Sequence, residues 1–310
     1  MREGEGPRSR PPTAVGRVAG GSDPAQGATL GSAGLLGLPL VDDRRALAGL
    51  TLVVLGLPLD GPVGMAPAVR RASRRYADWV PALGGAVRAA DYGDVETVRD
   101  DPAVAFMQAH ERLADVVAAG GAPLVIGGDA LVTVPVLQVL SGKLRGRLGV
   151  VAFTPFYDVA QDPLYAAGSR WARALELGIV APTGLVLVGG RAAPPDTPAR
   201  RTLDALGAAA FSLSDVTRDG MQAVAQEALE LAAAGTEAVY LSVDLSVLAG
   251  VGDPVGLEVR ELVAGVSTVS TALLAAADIC GPAAAADGDG PTVAARVAAE
   301  IVAGVADRLT

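Results

Sequence analysis

The stretch LVIGGDALVTVPVLQVLSGKLRGRLGVVAFTPFYD, residues 124–158, decides the fold. Two short apolar runs, Leu124–Ile126 and Leu148–Phe153, read as strands buried on both faces, because neither shows the polar alternation of a half-exposed strand. Between them, Leu131–Leu140 has the apolar spacing of a helix. Strand, helix and strand in that order make a parallel pair with a crossover. A polar or acidic residue stands just past each strand, Asp129 after the first and Thr154 and Asp158 after the second. In an open α/β sheet that edge is where ligands bind.

Working outward, the 310 residues are 51% hydrophobic, enough for one large core. One compact domain is expected over 29–310. Ahead of it, residues 1–28 are rich in Gly, Pro, Arg and Ser and read as a disordered tail. The formal charge of −9 argues against nucleic-acid and anionic-membrane partners. A single cysteine, Cys280, rules out an intrachain disulfide and fits a reducing cytoplasm. No apolar run reaches the roughly 18 residues that a membrane span requires. The opening MREGEGPRSRPP lacks an apolar centre and does not read as a secretory signal.

Further strands are expected at Leu52–Leu57, ended by Pro58, and at Ala238–Asp244. Ala103–Ala119 reads as an amphipathic helix with Val104, Met107, Leu113, Val116 and Val117 on its apolar side. It carries His110, the only histidine, which reads as a surface or packing residue. Met221–Ala234 reads as an Ala-rich helix lying on the sheet.

Three short motifs stand in order. They are Gly127-Gly128-Asp129-Ala130, then Thr154-Pro155-Phe156-Tyr157-Asp158, then Ser242-Val243-Asp244-Leu245-Ser246. The set resembles the ureohydrolase family (arginase, agmatinase, guanidinobutyrase), in which the same places read Gly-Gly-Asp-His, Asp-Ala-His-x-Asp and Ser-x-Asp-x-Asp. The opening Gly56-Leu57-Pro58-Leu59-Asp60-Gly61, with Arg70-Arg71-Ala72-Ser73 after it, resembles the agmatinase type in particular. So does the turn Asp91-Tyr92-Gly93-Asp94. The resemblance covers roughly residues 30 to 310 and implies a three-layer α/β/α fold of the arginase type, with a parallel sheet of about eight strands.

In that family two histidines and four carboxylates hold two manganese ions, whose bridging hydroxide attacks a guanidinium carbon. Laid on the motifs, the ligand positions fall on Ala130, Thr154, Phe156, Asp158, Asp244 and Ser246, so that four are vacated and two carboxylates remain. One histidine in the chain cannot supply two histidine ligands. The family's proton-shuttle histidine falls on Ala167, and Asp253 stands nearest to its guanidinium-binding glutamate. The binuclear manganese is therefore expected to be absent, with at most weak metal binding at Asp158 and Asp244. Asp129, Asp158, Asp244 and Asp253 are expected to line a remnant pocket, with Phe156 and Pro155 filling part of the vacated space. Asp158 and Asp244 read equally well as caps at strand ends, and Asp129 as a turn residue accepting backbone N–H bonds.

These residues imply a degenerate, non-catalytic member of the family. Since the family is typically trimeric or hexameric, the resemblance implies a homo-oligomer, or a hetero-oligomer with an active paralogue or another enzyme. The alternatives are a binding protein for a cationic or guanidino ligand in the remnant pocket, or a residual single-metal hydrolase of C–N bonds in guanidino compounds, acting on linear amidines.

Overall fold

A computed structural model of the chain describes Met1 and residues 34–59, 64–83, 85–96, 102–144, 147–159, 168–191, 197–251, 253–281 and 289–310. Contacts group Ser32–Thr310 as one compact unit. Apart from Met1, the expected tail over 1–28 lies outside the described residues.

Eight strands form one sheet: β1 (Leu52–Gly56), β2 (Ala89–Asp94), β3 (Ala122–Ile126), β4 (Leu148–Phe153), β5 (Val180–Gly190), β6 (Ala209–Ser212), β7 (Ala238–Asp244) and β8 (Leu274–Cys280). The described helices are α1 (Met65–Ser73), α2 (Trp79–Ala82), α3 (Pro102–Ala118), α4 (Thr133–Ser141), α5 (Arg170–Glu176), α6 (Pro198–Leu206), α7 (Leu213–Asp219), α8 (Met221–Ala233), α9 (Val259–Val269) and α10 (Gly290–Leu309). None of them is long and apolar enough to cross a membrane.

Strand order is β2-β1-β3-β8-β7-β4-β5-β6, and every pairing is parallel. All six residues of β4 and all seven of β7 are buried, because helices cover both faces. Successive side chains of β1 show the division. Leu52 and Val54 join a core under α1, α8, α9 and α10, whereas Val53 and Leu55 join a second core under α3, α4, α5 and α6. This is the expected three-layer α/β/α arrangement.

The strands of the opening stretch, β3 and β4, are not neighbours, since β8 and β7 stand between them. The ends of these four central strands therefore converge where the two halves of the sheet meet, the place at which such sheets form a crevice. The expected helix after β3 begins instead as a 3-10 turn at Ala130–Val132, and α4 proper starts at Thr133. On α3, Leu113 and Val116 are buried as expected, but Met107 is 59% exposed, one step off the buried stripe. His110 is also exposed.

Gly149 sets how closely α8 lies on β4. A Cβ there would fall 1.9 Å from the carbonyl oxygen of Ala232 and 2.6 Å from its carbonyl carbon, and a helix backbone cannot rotate away as a side chain can. Gly149→Ala is expected to lower stability by about 3 kcal/mol in urea unfolding, the upper part of the usual range for overpacking. A loss below about 1 kcal/mol would mean that α8 slides freely on the sheet.

Candidate functional site

Each motif ends at the carboxyl edge of a central strand. After β3 the chain turns at Gly127, where only glycine fits: a Cβ would lie 2.5 Å from Val132 Cγ1 and 2.6 Å from the Leu57 carbonyl oxygen. Asp129 then caps the 3-10 turn, its Oδ1 accepting the Leu131 N–H at 2.8 Å. After β7, Asp244 does the same for the turn Leu245–Val247: its Oδ1 accepts the Ser246 N–H at 3.0 Å and also the Ser246 hydroxyl. The turn-residue and capping readings thus hold for Asp129 and Asp244.

After β4, Thr154 is fully buried, and its Oγ1 lies 3.2 Å from the Phe156 carbonyl oxygen and 3.3 Å from the Phe156 N–H nitrogen. Asp158 adopts a left-handed backbone conformation (φ 46°), which a short polar side chain tolerates better than most. Its carbonyl accepts the Trp171 N–H at 3.1 Å and so fastens the start of α5 over the site.

That start of α5 delivers a group on which the motif reading is silent. Arg170 is 1% exposed, and its guanidinium lies among the ligand positions. Nε stands 2.8 Å from Asp158 Oδ2, Nη2 donates to Thr154 Oγ1 at 2.9 Å, and Nη2 is 3.6 Å from Asp244 Oδ2. Nη1 faces the Cys280 sulfur at 3.9 Å. The Nε–H does not point along the Asp158 contact, so that contact is an ion pair rather than an aligned hydrogen bond.

Burial pushes the Asp158 carboxyl above the usual aspartate range, and the Asp244 charge adds to this, while Arg170 opposes it. Burial alone would depress the Arg170 guanidinium. Asp158 first, with Asp244 and Asp278 behind it, outweighs that and holds the guanidinium above the ordinary arginine value. Burial likewise pushes the Cys280 thiol well up, leaving it protonated.

Beneath the guanidinium lies a second polar group that the motifs do not mark. Asp278 on β8 is fully buried and accepts three hydroxyl bonds: from Thr133 at 2.7 Å, from Ser242 at 2.8 Å and from Tyr240. Ser242 and Asp278 are register partners across β7 and β8, which is why they meet.

A cleft of about 400 Å³ opens above these residues, lined among others by Asp129, Ala130, Phe156, Asp158, Arg170 and Asp244. Three of the four expected pocket carboxylates therefore share it. Asp253 does not line it; its carboxylate pairs with Arg191 at 2.9 Å. Phe156 does not fill the vacated space either. Its ring is 52% exposed, with the Arg191 guanidinium 5.8 Å from the ring centroid. The Thr154 contacts tie down the Phe156 backbone and the guanidinium takes the interior volume, so the ring turns outward. Ala167 lies outside the described residues.

The donor set does not fit a pair of divalent ions. Ala130 and Phe156 offer no side-chain donor, Thr154 and Ser246 have hydroxyls already bonded, and a cation already stands between the two carboxylates. Among the described residues, no group of three or more His, Cys, Asp or Glu is placed to hold a metal.

The parallel three-layer sheet and its strand-end cleft define a ureohydrolase-type α/β architecture. The chain belongs to the arginase family, whose model matches residues 51–305. It is 33% identical over 199 residues to an arginase of Brevibacillus brevis, covering 56% of this chain and 64% of that protein. To a guanidinopropionase of Pseudomonas aeruginosa it is 31% identical over 196 residues, covering 58% and 59%. The chain spans about half the length of the curated relatives it matches. A crystal structure of a hypothetical agmatinase from Burkholderia thailandensis superposes with a TM-score of 0.77 at 24% identity, covering 90% of this chain and 92% of the other. That likeness concerns the fold.

Proposed function

We propose that this chain is a non-catalytic member of the arginase family, folded without manganese and serving as a subunit of an oligomer, either with copies of itself or with an active relative in a reducing, cytoplasmic setting. One observation carries the metal-free part of this reading: the Arg170 guanidinium lies within 2.8 Å of Asp158, 2.9 Å of Thr154 and 3.6 Å of Asp244, three of the six positions that hold metal in the family resemblance. A residual single-metal site would have to displace that guanidinium from its ion pair.

The test is metal content after incubation with excess manganese and desalting, together with urea release from arginine, agmatine and guanidino acids. Near-zero manganese, no urea and a melting temperature indifferent to chelator are expected. About two ions per chain, the number that binuclear hydrolysis needs, would overturn the reading. Co-purification from the native host tests the subunit role, and a monomer with no partner counts against it.

A second reading is favoured by the open cleft. Asp129 is exposed at its wall and the exposed Phe156 ring adds an apolar face, a combination suited to a small cation with an alkyl body. A thermal shift with agmatine or arginine, absent with guanidine-free analogues, would support ligand binding as the role.

A further inference from the structure

We propose that Arg170 is a built-in counter-cation: its guanidinium does for Asp158 and Asp244 what a bound metal ion would do, and cutting the side chain back opens a site that a free guanidinium or a divalent cation fills. This rests on the metal-free reading above and deepens it.

Charge balance supplies the first argument. The resemblance sets four carboxylates against two divalent ions, whereas the two carboxylates left at those ligand positions here face one monovalent guanidinium. Charges of both signs have fallen together. Had the metals been lost alone, Asp158 and Asp244 would face each other in a buried wall with nothing between them, an arrangement that low dielectric makes costly.

Arginine suits the position. Its guanidinium stays charged, is weakly hydrated and presents donors in a plane, so one group reaches several acceptors. Here the plane spans Asp158, Asp244 and the Thr154 hydroxyl, and its third nitrogen faces the Cys280 sulfur. The side chain is also held in place: the neighbouring Trp171 N–H is bonded to the Asp158 carbonyl, and the Trp171 ring centroid lies 5.0 Å from the guanidinium carbon.

Access supplies the last argument. Arg170 lines the open cleft while its side chain is 1% exposed, so truncation would leave a cavity continuous with that cleft rather than a sealed void. A small cation from solvent could therefore reach both carboxylates.

The experiment compares melting temperatures of the wild type, Arg170→Ala and Arg170→Ala/Asp158→Asn, each alone and with millimolar methylguanidinium, manganese or magnesium, with sodium and tetramethylammonium as controls. Arg170→Ala is expected to melt roughly 10 °C lower, as befits a broken buried pair. Methylguanidinium or manganese should restore several degrees to that variant and none to the wild type, and Asp158→Asn should also recover part of the loss. An Arg170→Ala protein that melts like the wild type, or that neither cations nor Asp158→Asn stabilise, overturns the proposal. Should Arg170→Ala not fold, Arg170→Met/Asp158→Asn takes its place: folding supports charge compensation, and failure to fold overturns it. Manganese bound to the wild type would instead sink the metal-free reading, so the two failures are distinguishable.

Discussion

Replacing Asp91 by alanine is expected to lower the stability of the folded chain by about 3–5 kcal/mol, the usual consequence of removing one partner from a buried ion pair. The carboxylate is fully buried and all of its acceptor capacity is used. Oδ2 accepts Arg70 Nε at 2.7 Å and the Leu35 N–H at 2.7 Å, while Oδ1 accepts Arg70 Nη2 at 2.9 Å and the Gly93 N–H at 2.9 Å. Its backbone binds the segment before β1 as well, through Asp91 N–H to the Pro39 carbonyl and Val41 N–H to the Asp91 carbonyl. Alanine would keep those backbone bonds but strand a guanidinium with a side chain only 15% exposed, together with two N–H groups. Asp94 provides the control. It also pairs with Arg70, yet its side chain is 34% exposed, so Asp94→Ala should cost at most about 1 kcal/mol. Urea denaturation of both variants tests the contrast. Equal losses would show that Asp91 acts only as another surface partner of Arg70.

The same cluster shows what could be read from sequence and what could not. The Asp91–Asp94 stretch reads as a turn because Asp and Gly favour turns wherever they occur, but it forms the end of β2, bulged at Gly93 with its φ of 77°. Nothing in the four letters says that Asp91 bonds to Leu35, 56 residues away. Strand β4 is legible from Leu148 to Phe153 because burial on both faces leaves an unbroken apolar run. The insertion of β8 and β7 between β3 and β4 is not legible, since hydrophobic pattern reports burial and not neighbours.

At the site, the vacated positions can be counted from the motifs, and the capping role of Asp129 and Asp244 follows from their chemistry. Arg170 escapes such a count because no ligand position of the motifs falls on it, and its burial depends on β4, β7, β8 and α5 meeting at one point. A charge balance was the available signal. Two carboxylates at adjoining strand ends with no metal require a cation from elsewhere, and Arg170 sits two residues beyond Gly168 in the segment that follows β4. For Phe156, pattern alone suggests a core residue, and only the backbone bonding around Thr154 explains why the ring faces outward.

Asp278 offers the other large effect, and here the sign of its pH dependence decides what the carboxylate is for. Asp278→Ala would leave the hydroxyls of Thr133, Ser242 and Tyr240 without their acceptor in a fully buried layer, for a loss on the order of 4 kcal/mol when each stranded group costs about 1–3 kcal/mol and relaxation recovers part. Asp278→Asn keeps the shape and separates out the charge. Burial pushes the Asp278 carboxyl above its ordinary value, with the Tyr240 bond, the Arg170 charge and the other two hydroxyls pulling against it. A carboxyl raised in the folded state stabilises most below its unfolded pKa of about 4, and that contribution is lost as pH rises through the folded value. The penalty of Asp278→Asn relative to the wild type should therefore be largest in acid and shrink toward neutral pH, as the wild type comes to bury a charge that asparagine does not carry. A penalty that instead grows with pH would show that the three hydroxyls and Arg170 favour the carboxylate more strongly than burial penalises it. Repeating the series in Arg170→Ala separates those contributions: with the guanidinium gone, Asp278 loses a charge that holds its pKa down, and the pH at which the penalty shrinks should move upward.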